Sequence, residues 1–133
     1  MHMRAAVLPA LALLALAVPF RQRHAPMSFD EVVKVAEANA GTPDGKVYAA
    51  YVTRHFAEQH ATSLRECTQT ANEPEKTPFT MALRIGKKGV VEEVLVKPET
   101  RAGVCMARGT VNDHLKKPPA PSYWVLVPLV PAP

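Results

Sequence analysis

The sequence predicts an α+β fold, with N-terminal helices followed by a ββαβ unit that carries a three-stranded antiparallel sheet. Three observations predict it. Phe79, Met81, Leu83 and Ile85 alternate with Thr80, Ala82 and Arg84, the period of two of a strand with one face buried. A second apolar run, Val90 to Val96, follows across Gly86-Lys87-Lys88-Gly89, and two such runs joined by a glycine-containing turn make a hairpin. Ahead of the hairpin, two stretches of helical spacing each begin with a capping residue.

The first helix starts at Ser28-Phe29-Asp30-Glu31. This is a capping box, in which the Ser28 hydroxyl accepts from the Glu31 N–H and the Glu31 side chain reaches back. Asp30 and Glu31 also suit the positive end of the helix dipole. Val32, Val35 and Ala36 mark one face, and Asn39 to Gly41 stops the helix. The second helix has Thr42 as cap and Pro43 at its first position, where the missing N–H costs nothing. Val47, Ala50, Tyr51 and Ala57 fall near helical spacing, with Phe56 at the edge of that stripe, and the helix runs to about His60. A further turn or short helix carries Leu64 and Cys67. Thr70 to Pro78 reads as a loop, from Asn72, Pro74 and Pro78.

In the second strand, Val90, Val94 and Val96 share a face that Glu92 interrupts, and Val91, Glu93 and Leu95 take the other. Pro98-Glu99-Thr100 ends this strand and caps a third main helix. Val104, Cys105, Ala107, Val111 and Leu115 can share its buried side. Gly103 and Gly109 weaken it by about 1 kcal/mol each relative to alanine, unless close packing needs them. Pro118-Pro119-Ala120-Pro121 is an extended connector. In the last strand, Ser122 to Val130, Tyr123, Val125, Val127 and Leu129 oppose Trp124 and Leu126. Pro128 marks it as an edge strand or one ending near there.

The chain has 133 residues, of which 47% are hydrophobic and 21% charged, a globular balance for one domain. The net charge of +4 is scattered, with no Lys/Arg block, aromatic interleaving or glycine-rich loop, so nucleic acid is not an expected partner. Residues 1–17 read as a signal peptide. Arg4 gives the positive n-region, Ala5 to Ala17 the apolar run, and Ala15-Leu16-Ala17 a small-x-small cleavage site. Residues 18–27 are then a flexible leader and 28–133 a single domain. The apolar run is short for a bilayer span, which takes about 20 residues, and Pro9 interrupts it. The alternative is a retained anchor flanked by Arg21 and Arg23. Export predicts a periplasmic or secreted protein with no stable membrane insertion after cleavage.

Two cysteines, Cys67 and Cys105, lie in segments that flank the hairpin. An even count in an exported chain favours a disulfide, with two free buried thiols as the competing reading. There is no Cys-x-x-Cys for redox work and no Cys-x-x-Cys-His for haem. His55 and His60 are five apart on a helix and point to different faces, so with His114 they give no metal-ligand pattern. Glu92 and Glu93, adjacent in a strand, face opposite ways and cannot pair for catalysis. Ser63 and Ser122 lack a nucleophile motif, and no aspartate is placed to orient a histidine. The sequence therefore predicts no metal, no cofactor and no enzymatic activity. Lys87 and Lys88 at the hairpin tip can contact an acidic partner or simply be solvated. Tyr123 and Trp124 can bind a partner's strand at the sheet edge, or fill the core and pack on a helix.

The run from Phe79 to Ile85, the Gly89-Val90-Val91-Glu92-Glu93-Val94-Leu95-Val96 strand, Cys105, Pro118-Pro119, and Tyr123-Trp124-Val125-Leu126-Val127-Pro128-Leu129 together resemble the TonB C-terminal domain superfamily. They are nearest its AgmX/PglI-type gliding-motility branch, in which an earlier cysteine, here Cys67, often accompanies the pattern. The resemblance covers roughly Ser63 to Leu129. It implies a periplasmic ββαβ fold that binds other envelope proteins, often through an exposed strand. The chain lacks the long proline-rich spacer of TonB itself, which argues against energy transduction and for a free-standing adaptor. The alternatives are a small secreted enzyme or inhibitor, built on a cleft gathering His55, His60 or His114 with Glu58 or Asp113, and an inner-membrane-tethered accessory subunit.

Overall fold

A computed structural model describes residues 26–69 and 75–131. The signal-peptide reading, and most of the leader, lie outside these residues. The sheet is built on β1 (Phe79–Ile85), which pairs antiparallel with β2 (Val91–Lys97) on one side and β3 (Tyr123–Leu129) on the other, giving the order β2-β1-β3. This is the predicted α+β fold. Its helices are α1 (Phe29–Ala40), α2 (Pro43–Gln59), α3 (Ala61–Thr68) and α4 (Arg101–Thr110). The Ser28–Glu31 capping box forms as the residue types require, and Thr42 and Thr100 cap α2 and α4.

The alternation along β1 and β3 sorts side chains to two faces. Phe79, Met81, Leu83, Tyr123, Val125 and Val127 face a larger core with Tyr48, Val52 and Phe56 of α2 and Ala102 and Met106 of α4. Ala82 and Trp124 face a smaller cluster with Val32 and Ala36 of α1. Helices thus cover both faces of the sheet, and the first helix lies on the face opposite the others.

Several faces differ from the sequence reading. On α2 the buried stripe is Gly45, Tyr48, Val52 and Phe56, while Val47 is 72% exposed and Ala50 and Ala57 are exposed too. Tyr48, Val52 and Phe56 also recur every four residues, and the Tyr48 ring packs edge-on against Tyr123, 5.6 Å between centroids. Val35 lies at the rim of its helix face. α4 ends at Thr110 and buries Ala102, Gly103, Met106 and Thr110, while Cys105 and Val111 are exposed and Val104 and Ala107 half-buried. Gly103 is required there: a Cβ would come within 2.7 Å of Val96 Cγ1. Gly109 has open space around it.

β2 departs most. The register slips between Arg84, opposite Glu93, and Ile85, opposite Val91, so Glu92 is an extra residue in a bulge. The bulge resets the alternation. Val91, Val94 and Val96 all meet the larger core, and Leu95 meets the smaller one. It also brings Glu92 and Glu93 together, since both carboxylates bind Arg84, Glu93 at 3.0 Å from Nε and Glu92 on Nη1. Two carboxylates expected to diverge therefore converge on one guanidinium.

Cys67 of α3 and Cys105 of α4 form a disulfide with Cα atoms 5.6 Å apart, closing 38 residues of sequence. Chain entropy makes such a closure worth about 4 kcal/mol, with native strain subtracting. Among the described residues no helix is long and apolar enough to cross a membrane.

Candidate functional site

Two places combine accessible chemistry with defined geometry. One is the outer edge of β2. In an antiparallel strand, alternate residues turn both backbone groups toward one neighbour. The Val91 N–H donates outward to Asp113 O, and Val91 O accepts from Asn112, each at 2.9 Å. Beyond the bulge, the register with β1 turns Val94 and Val96 outward as well. No backbone hydrogen bond from another element reaches these two residues among those described. Their edge lies in a groove of about 480 Å³, walled by Met27 and Phe29 on one face of the sheet and Val104 and Ala107 on the other. Val94, Leu95 and Val96 are only half-buried there. Glu99 and Arg108 stand at its margin, offering one charge of each sign.

The other place is a cluster of His55, His60 and Asp113. Both imidazole Nε2 atoms bond the same carboxylate oxygen, Asp113 Oδ2, His60 at 2.8 Å and His55 at 3.1 Å. The side chains are 13–23% exposed. His60 caps the C-terminus of α2 with φ −114° and ψ 8°, so it has left the helix. The helical spacing that predicted divergent faces therefore stops one residue before it, and its ring lies stacked on Phe56, centroids 4.5 Å apart. Asp113 follows α4 in a segment stitched to the hairpin. Leu115 N donates to Gly89 O at 2.8 Å, Val91 N to Asp113 O, and Asp113 N to Thr110 O at 3.0 Å. Gly89 permits this approach. Its φ is +91°, and a Cβ would meet Leu115 O at 2.1 Å. Asp113 Oδ1 accepts from His114 N, which leaves Oδ2 to the histidines. Burial pushes the Asp113 carboxyl up, but hydrogen bonds from His60 and His55 outweigh it and hold the group below its usual value. The expectation that no aspartate meets a histidine is thus corrected. The sequence named Asp113 with these histidines only as one option for an enzyme's cleft, and the local signal for it was the predicted helix end at His60. His114 is exposed, and its ring nitrogens are not part of the cluster.

The sequence-predicted partner residues separate. Lys87 and Lys88 are exposed at the hairpin tip. Tyr123 and Trp124 are each 6% exposed, one in the larger core and the other under α1, so neither side chain is presented to a partner. The Tyr123 hydroxyl donates to Asn39 O at 3.2 Å, and Asn39 Nδ2 donates to Trp124 O at 3.1 Å. Asn39, read only as a helix stop, thus binds the β3 edge. Burial raises the hydroxyl pKa values of Tyr48 and Tyr123, and the Tyr48 hydroxyl donates to Lys116 O at 2.7 Å.

A scan against protein-family models gave no match, and neither did searches of curated proteins and of solved structures.

Proposed function

We propose that this protein is a non-enzymatic binding module of the cell envelope, periplasmic or secreted, that takes an extended segment of another envelope protein along the outer edge of β2. The observation that carries this reading is the groove itself. An edge with outward backbone groups at Val94 and Val96, flanked by apolar side chains from both faces, offers the hydrogen bonds and side-chain pockets of strand addition. The residue pattern resembling the TonB C-terminal superfamily points to the same kind of partner. The disulfide suits an oxidising compartment.

The gathering of His55, His60 and Asp113 favours a second reading, a small secreted enzyme. Among the described residues, however, the hydrogen bonds of the two imidazoles end on Asp113, and both cysteines are tied in the disulfide. Among the described residues the cluster has a base and its orienting acid but no nucleophile bonded to them.

The test is capture of a partner from envelope extract, followed by amide exchange of the complex. Val94→Pro deletes an outward N–H and leaves the ladder to β1 intact, a position where an edge strand accepts proline. Capture should be lost in Val94→Pro and in Ala107→Glu and kept when Lys87 and Lys88 are both replaced by alanine. The amides of Val94 and Val96 should gain protection in the complex. Capture by both groove variants, or its loss with the tip lysines, sinks the proposal.

A further inference from the structure

We propose that His55, His60 and Asp113 form a binding site for one divalent transition-metal ion, with Zn²⁺ the ion their chemistry fits best. The three donor atoms lie within 4.8 Å of one another, two imidazole nitrogens and one carboxylate oxygen. That is a set suited to zinc, whereas Ca²⁺ and Mg²⁺ need more oxygen ligands than the cluster offers.

The set is preorganised. Both Nε2 atoms already converge on a single oxygen, so an ion between them replaces the two Nε2–Oδ2 hydrogen bonds with three metal–ligand bonds, each imidazole binding as the neutral ring with its proton on Nδ1. The carboxylate is oriented from behind. Its Oδ1 is held by His114 N, and its backbone by Thr110 O and Val91 N. The His60 ring is oriented by its stack on Phe56. Outer contacts of this kind fix ligand geometry and commonly change affinity by about 10- to 100-fold. The cluster is partly desolvated yet reachable, with 13–23% of each side chain exposed. Three protein ligands leave a fourth position for water or for a donor from a bound partner. The ligands come from the end of α2 and from the segment bonded to the start of β2, so an ion would staple these two parts together.

The probe is Zn²⁺ alone, titrated calorimetrically into the full chain with its disulfide intact, after chelator treatment. One ion should bind per chain, with a Kd on the order of micromolar or tighter. Asp113→Asn and His55→Gln should each weaken binding by about tenfold or more, and His114→Gln should leave it unchanged. Co²⁺ should give d–d absorption bands that both ligand variants lose. If Asp113→Asn does not fold, His55→Gln decides, since His55 is only half-buried on α2 and its loss spares the Asp113 backbone bonds. No binding up to about 1 mM Zn²⁺, or binding as tight in His55→Gln as in the parent, would overturn the site. Either result leaves the partner-capture experiment on the β2 edge unaffected.

Discussion

The two edges of the sheet carry similar apolar sequences and are finished in opposite ways. On β3, Asn39 ties up the Trp124 carbonyl, Pro128 has no N–H, and the hollow beside Tyr123 and Trp124 is about 90 Å³. On β2, the segment 112–115 covers only the first turn of chain at Val90 and Val91, and the rest opens into a groove of about 480 Å³. An unpaired strand edge is an aggregation hazard that proteins usually blunt. Here one edge is blunted by a side-chain cap and a proline, while the other keeps two outward residues between apolar walls. Aromatic content alone pointed to the β3 edge, yet both aromatic side chains are buried, because large aromatics are the side chains a small core most needs to bury.

The comparison can be broken by changing each edge in turn. The largest effect is expected from replacing both Cys67 and Cys105 by serine, which frees α4, one wall of the β2 groove, from α3. Urea unfolding should show a loss of up to about 4 kcal/mol. An unchanged midpoint would mean that the bridge does not constrain the fold. Trp124→Ala should follow at about 3 kcal/mol, because it empties the cluster under α1. Val94→Pro, on the open edge, should cost clearly less in the same experiment, and equal costs would contradict the contrast. Asn39→Ala should cost about 1 kcal/mol and raise amide exchange along β3, since it uncaps that edge. Replacing Lys87 and Lys88 by alanine should stay within about 0.5 kcal/mol.

Acid should act through Asp113. Its carboxyl titrates below its usual value of 3.8 in the folded protein, so the unfolded chain binds the proton more readily. The stability this gives is present above about pH 4 and is lost as pH falls through the lower folded value. Asp113→Asn should therefore flatten the acid limb of the pH–stability curve. An acid limb of the same steepness in this variant would show that the carboxylate does not contribute.

Much of the fold was legible. The capping box at Ser28, the Thr42-Pro43 start of α2, the alternation from Phe79 to Ile85, and Pro128 as an edge marker all form as read. The candidate sites were less so. The disulfide pair was legible from the even cysteine count together with the expectation of export. The His55–His60–Asp113 cluster was less so, because it depends on His60 leaving the helix and on a segment more than 50 residues away returning beside it.

By itself the sequence determined where α1, α2 and α4 begin and that β1 and β3 alternate, because caps, turns and period-two patterns act through neighbours a few residues apart. Only the tertiary structure decided which helix stripe is buried, that a single extra residue at Glu92 turns Glu93 to the same guanidinium, and that Asn39 closes one edge while the other stays open. Those outcomes depend on which surfaces meet when distant segments pack, and spacing along the chain carries no record of that.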